Sequence, residues 1–214
     1  MDPSLDESSS IEEEDYDEKI KLMIIGDSSV GKTSLLKKYC KNEFSNSYIT
    51  TVGIDFQVKI LDINNKKIKI QIWDTAGEER YRVVAKNYFN TSDGFIIMYD
   101  ITNRDSFDSI SNWVEQIRDS TPNYKKSVIL GNKSDLNKLR NVQINEGKEL
   151  AANNNFKFFE TSAKDGINLK EGIESLVKDV LKDIDSIKIK RRNTTSLREK
   201  KKNNVKKKVK EPCC

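Results

Sequence analysis

Gly26-Asp27-Ser28-Ser29-Val30-Gly31-Lys32-Thr33 is the stretch that decides the fold. It follows a short apolar run at residues 20–25 and precedes Leu35, Leu36, Tyr39 and Cys40 at helical spacing, so it joins a strand to a helix. The pattern G-x-x-x-x-G-K-[ST] in that setting is a phosphate-binding loop. Gly26 and Gly31 let the backbone curl so that successive N–H groups face phosphate oxygens, and the positive end of the following helix adds to the attraction. Lys32 can reach β- and γ-phosphates. The Thr33 hydroxyl suits Mg²⁺, a hard cation that prefers oxygen.

Outward from the loop, strand and helix patterns alternate. Ile54, Phe56, Val58 and Ile60 alternate, as do Ile68, Ile70 and Ile72, and Asn64-Asn65 between them predicts a hairpin. Residues 95–99 form an apolar run expected of a central strand. Phe107, Ile110, Trp113, Val114 and Ile117 repeat at helical spacing. Strands are predicted at 128–130 and 156–159, a polar helix at 144–152, and a last amphipathic helix carrying Ile173, Leu176, Val177, Val180, Leu181 and Ile184. This order predicts an α/β fold, a mostly parallel sheet covered by helices on both faces, with one antiparallel strand from the hairpin.

Two further loops follow strands. Gly131-Asn132-Lys133-Ser134-Asp135 has the form N-K-x-D. Asp135 is a double acceptor suited to the N1–H and N2 amino group of guanine; adenine lacks that donor pair and would leave the carboxylate unpaired. The Lys133 stem can lie over the base, and Asn132 can reach the base edge and tie the loops together. Glu160-Thr161-Ser162-Ala163-Lys164 follows the last strand, and N–H groups near Ser162 and Ala163 can donate to guanine O6. Ligands of open α/β sheets bind at these strand ends.

These motifs, with Trp73-Asp74-Thr75-Ala76-Gly77, resemble those of the Ras superfamily over roughly residues 19–184. Val52-Gly53-Ile54-Asp55-Phe56, Ile70-Gln71-Ile72-Trp73, Glu79-Arg80-Tyr81-Arg82, Tyr99-Asp100-Ile101-Thr102 and the terminal Cys213-Cys214 are similar to the Rab family. The resemblance implies a P-loop NTPase G domain with six strands and five flanking helices. It implies a GTP/GDP switch in vesicle transport, with Mg²⁺ held by Thr33, Thr51 and Asp74. Thr51 resembles the switch threonine that meets Mg²⁺ and the γ-phosphate, and Gly77 the glycine whose N–H senses that phosphate. Phe44 matches an aromatic packed on guanine. Ser34, Tyr48, Leu136 and Lys164 complete the implied nucleotide set. Phe56, Trp73 and Tyr88 match the aromatic trio that displays nucleotide state to effectors. The resemblance also implies a GTPase-activating protein, an exchange factor, an escort protein and a GDP-dissociation inhibitor.

One position departs from the pattern. Small GTPases usually carry Gln after the switch glycine to orient the attacking water. Here Glu78 stands there. An ionised carboxylate has no N–H to donate and repels the γ-phosphate, yet it can accept a proton from water. Intrinsic hydrolysis is therefore expected to be altered, with either sign. Rab-directed activating proteins often resemble suppliers of both an Arg and a Gln in trans, so Glu78 need not abolish stimulated turnover. The catalytic set read from the sequence is Glu78, Gly77 and Lys32. Two rival readings are a GTP-dependent binding module with negligible turnover and a P-loop ATPase or kinase.

The 214 residues suit one domain with tails, and the 36% hydrophobic fraction is low because the ends are charged. Residues 2–18 contain nine Asp or Glu and no Lys or Arg, whereas residues 188–210 are strongly basic. Such blocks repel themselves, so both ends read as disordered. The expected division is an acidic extension at 1–18, the G domain at 19–186 and a basic tail at 187–214. Cys40 reads as a buried or half-buried small hydrophobe. No cysteine spacing suggests zinc or a secreted disulfide framework. No signal peptide or spanning segment is legible, so a cytosolic origin is expected. Cys213 and Cys214 imply double geranylgeranylation on the resemblance. Two lipid chains anchor stably where one does not, and the basic run adds attraction to anionic lipid. The competing reading of that run is a nuclear-localisation or nucleic-acid patch.

Overall fold

The computed structural model describes residues 15–45, 54–75, 88–121 and 125–208, with side chains described to 190 and that of Ile54 excepted. Its frame is a six-stranded sheet ordered β2-β3-β1-β4-β5-β6. The strands are β1 (Glu18–Ile25), β2 (Ile54–Ile63), β3 (Lys66–Thr75), β4 (Gly94–Asp100), β5 (Lys126–Asn132) and β6 (Lys157–Glu160). β2 and β3 pair antiparallel; every other pair is parallel. Asn64 and Asn65 close the hairpin with φ of 53° and 59°. Positive φ at both turn residues matches the right-handed twist of the flanking strands, and Asn tolerates it.

Five α-helices occur among the described residues: α1 (Lys32–Lys41), α2 (Arg104–Asp108), α3 (Ile110–Ser120), α4 (Ile144–Asn153) and α5 (Leu169–Lys208). The single helical period read across 107–117 is thus divided at Ser109, although Phe107, Ile110, Trp113, Val114 and Ile117 are all buried as that period requires. α4 opens with a capping box in which Gln143 and Glu146 exchange side-chain and backbone bonds.

Alternation along β1 explains the two cores. Ile20, Leu22 and Ile24 face α1 and α5 together with Leu35, Ile173 and Val177. Met23 and Ile25 face the other way, with Phe95, Trp113 and Val114. β4 is buried along its whole length, as a central strand covered on both faces must be. The edge strand β2 differs. Its alternation placed Phe56 and Val58 on a common face, but these two are 44% and 43% exposed.

The chain ends depart from the expected boundaries. Asp17 already pairs with Lys67: its N–H donates to the Lys67 carbonyl at 2.9 Å and its carboxylate accepts from the Lys67 N–H at 2.8 Å. The ordered unit therefore starts before residue 19. The other correction is at α5, which continues to Lys208 where a disordered basic tail was expected from residue 187. Lys, Arg and Glu are good helix formers, and extending a helix already nucleated by a buried stripe adds one hydrogen bond per residue fixed. No helix among the described residues is long and apolar enough to cross a membrane.

Candidate nucleotide site

The loops after β1, β5 and β6 and the end of β3 meet at the C-terminal edge of the sheet, around the point where the strand order reverses. The first loop is shaped by its glycines. Gly26 has φ of 140°, and a Cβ there would lie 2.2 Å from the Met98 carbonyl oxygen. Gly31 has φ of 99°, and a Cβ there would lie 2.4 Å from Asn132 Nδ2. Neither position accepts a side chain without displacing its neighbour. Ser29 also takes the left-handed conformation, at φ 65°. The loop thus curls over the start of α1, whose first residue is Lys32. Ser28 and Ser29 are exposed and Val30 is buried. Lys32 is only 5% exposed, and its Nζ donates to the carbonyls of Gly26 (2.8 Å) and Asp27 (2.7 Å).

Thr33 Oγ1 donates to Asp74 Oδ2 at 2.5 Å, joining α1 to the end of β3. Asp74 is 4% exposed, and its Oδ1 has no hydrogen-bond partner among the described residues. Burial pushes the Asp74 carboxyl above its usual range, while the Thr33 hydroxyl and Lys32 pull it back. A buried carboxylate oxygen without a partner beside a threonine hydroxyl is an all-oxygen donor pair. Its chemistry fits a divalent Mg²⁺, whose charge would favour the ionised carboxylate.

At the other end of the cleft, Asn132 is 1% exposed and ties three loops. Its Nδ2 donates to Val30 O at 2.9 Å. Its Oδ1 accepts from the Ala163 N–H at 3.1 Å and from Thr161 Oγ1 at 3.3 Å. These bonds make it a positioning residue, the loop-tying role foreseen for it. Ser162 is fully buried, and its Oγ donates to Asp135 Oδ1 at 2.7 Å, aiming the carboxylate of the N-K-x-D loop. Lys133, at φ 66°, pairs through Nζ with Asp100 Oδ2 at 2.6 Å. Leu136 is exposed beside Asp135, and Lys164 is exposed beyond Ala163. Ser34 is half-buried on α1, and Phe44, 38% exposed, lies just past that helix.

Three supporting residues escaped the sequence reading. Trp113 Nε1 on α3 donates to Asp27 Oδ1 at 2.9 Å and braces the phosphate loop. Asp100 orients Lys133 and is itself held by the N–H (2.8 Å) and hydroxyl (2.7 Å) of Thr102. Arg140 grips Glu160 through both nitrogens, at 2.5 and 2.8 Å, and donates to Val142 O. Asp100 lay within the quoted Tyr99–Thr102 motif; the other two carry no local signal.

Phe56, Trp73 and Tyr88 lie together. Ring centroids are 5.0 Å apart for Phe56–Trp73 and 5.3 Å for Trp73–Tyr88, both tilted. Tyr48, Thr51, Gly77, Glu78, Cys213 and Cys214 lie outside the described residues.

A phosphate loop, a buried acidic residue at the end of β3 and an aspartate-bearing base loop define a P-loop guanine-nucleotide-binding protein. Residues 21–182 match the Ras family. The chain is 43% identical to Ras-related protein Rab-13 of Bos taurus, covering 78% of this chain and 82% of that protein. It is 47% identical to Ras-related protein Rab-3 of Caenorhabditis elegans, covering 77% and 75%. It is 42% identical to Ras-related protein Rab-8 of Diplobatis ommata, covering 86% of each. The chain belongs to the Ras family and, within it, to the Rab small GTPases. It is a GTP-hydrolysing molecular switch of vesicle trafficking.

Proposed function

We propose that this chain binds GTP or GDP with Mg²⁺ in the cleft between the phosphate loop and the loops of Asn132 and Ser162. The observation that carries this reading is the Asn132 bridge, which fixes the phosphate loop to both base loops at 2.9 and 3.1 Å. In this reading N–H groups of residues 27–34 cradle the phosphates, and Lys32 leaves the loop carbonyls for β- and γ-oxygens. Asp135 reads the base edge, the Lys133 stem and Phe44 cover its faces, and N–H groups at Ser162 and Ala163 meet O6. Thr33, Asp74 and Thr51 hold Mg²⁺, which when bound neutralises phosphate charge. Thr51 and Gly77 sense the γ-phosphate, so the segments around them order in the GTP state and relax on hydrolysis.

Effectors read that change at Phe56, Trp73 and Tyr88. Exposed aromatic surface on an edge strand supports an interaction role there. Activating protein, exchange factor, escort protein and dissociation inhibitor complete the cycle. The chain works at the cytoplasmic face of an intracellular membrane, anchored by lipids on Cys213 and Cys214 and assisted by the basic segment before them.

Glu78 sets the timer. A carboxylate beside the γ-phosphate slows water attack, so the protein dwells longer in the GTP state than a Gln-bearing relative. Single-turnover hydrolysis of [γ-³²P]GTP tests this. Glu78→Gln should turn over faster than wild type; an equal or slower rate refutes the assignment. Replacing Cys213 and Cys214 together by Ser should move the protein from membranes to the soluble fraction of cells, and unchanged partitioning refutes the anchor.

A further inference from the structure

At the sheet edge opposite the nucleotide cleft, the two charged ends of the chain meet at one corner. Tyr16 lies beneath Lys69 Nζ, 4.9 Å from the ring centroid, and Asp17 is pinned to the Lys67 backbone. The next residue, Glu18, pairs with Lys188 of α5, and Asp185 one turn earlier pairs with Lys66 at 3.7 Å. The acidic stretch therefore enters the fold where the basic stretch of α5 leaves it.

The two stretches are complementary in charge and reach. Residues 2–15 carry Asp2, Asp6, Glu7, Glu12, Glu13, Glu14 and Asp15 and no Lys or Arg. From Lys188 to Lys208 the chain carries eleven Lys or Arg against one acid, Glu199. The buried stripe of α5 ends at Leu181, with Ile184 partly covered and Ile187 and Ile189 exposed, so the basic turns extend beyond the core. Like charges three and four residues apart destabilise a helix, and a parallel strip of carboxylates relieves that repulsion. The helical rise takes Lys188 to Lys208 over about 30 Å. An extended chain of the length of residues 2–16 spans up to about 50 Å. Each exposed pair is weak alone, but tethering beside the partner raises the effective concentration to about millimolar.

We propose that the acidic N-terminal segment docks along the basic part of α5, with Glu18–Lys188 as the first rung, and screens those cations from anionic surfaces. The screening consequence rests on the proposed attraction of that segment for membranes; the docking does not. Zero-length carbodiimide cross-linking of the full, unlipidated chain in dilute solution at about 50 mM salt tests the docking. The monomer fraction is mapped by mass spectrometry, with the Glu18–Lys188 link as internal standard. Links from Glu12, Glu13 or Glu14 to Lys200–Lys208 are expected, falling at least about fivefold at about 0.5 M salt. Finding the Glu18–Lys188 link without them overturns the proposal.

A vesicle assay separates contact from net charge. A variant with Asp6→Asn, Glu7→Gln, Glu12→Gln, Glu13→Gln and Glu14→Gln should bind vesicles of phosphatidylcholine with about 30% phosphatidylserine about tenfold more tightly than wild type. A charge-matched control neutralising Asp62, Glu115, Asp119, Glu149 and Glu171, all exposed elsewhere, should gain far less. Equal gains overturn the screening by contact. Cross-links in a chain that binds no vesicle in either form uphold the docking and refute the membrane attraction instead.

Discussion

The two ends of the nucleotide cleft are built on opposite plans. At the base end the polar groups bind one another: Asn132 holds Val30, Thr161 and Ala163, Ser162 holds Asp135, and Arg140 grips Glu160. At the phosphate end Asp74 keeps a buried oxygen with no partner among the described residues, and Lys32 is folded back on the carbonyls of its own loop. Buried polar groups that are paired hold a structure together, whereas an unpaired buried carboxylate costs stability until something neutralises it. The base end is therefore part of the fold, and the phosphate end is held ready for a ligand. Damage to the first should cost stability and binding together. Damage to the second should cost binding alone.

The sharpest break would come at Asn132. Asn132→Ala removes three cross-loop bonds at a site 1% exposed and leaves the Ala163 N–H and Val30 carbonyl unpaired. About 2–4 kcal/mol of stability should be lost, with GDP affinity down by about 10³-fold or more. Chemical denaturation and GDP dissociation kinetics measure both. At the phosphate end, Asp74→Ala should lower Mg²⁺-dependent GTP affinity by about 10²-fold while leaving the nucleotide-free protein within about 1 kcal/mol of wild type. Titration with and without Mg²⁺, beside thermal unfolding, checks the contrast. A large loss of stability there would break it.

Arg140→Ala tests whether the clamp belongs to the structural end. Both side chains of the pair are nearly buried, so removing the cation strands Glu160; about 1–3 kcal/mol should be lost, with only a few-fold faster GDP release. The smallest effect sets the baseline. Lys126 and Asp183 are an exposed pair at 3.6 Å, far from the cleft, and Lys126→Ala should change stability by no more than about 0.5 kcal/mol in denaturant titrations.

The same contrast shows what a sequence reveals. The phosphate loop, the N-K-x-D loop and the hairpin were legible because each depends on local backbone needs: positive φ at Gly26, Gly31, Asn64 and Asn65, and side chains at fixed offsets. The sheet was legible from its alternation with helices. The braces were not. Trp113 meets Asp27 across 86 positions and Arg140 meets Glu160 across 20, and neither pairing leaves a period or a spacing. Alternation put Phe56 and Val58 on one face of β2 without saying whether that face is covered, and both are exposed. The basic turns of α5 were read as repelling charge alone, and the propensity of Lys and Arg to prolong a helix was the competing force.

The central claim is that this cleft takes a guanine nucleotide read by Asp135. Calorimetric titration of nucleotide-free protein with GDP, GTP and ATP in Mg²⁺ tests it most directly. Dissociation constants below about 1 μM are expected for GDP and GTP, with no measurable heat from ATP, and Asp135→Ala should abolish the preference. Equal binding of ATP, or no uptake of either guanine nucleotide, would contradict the assignment.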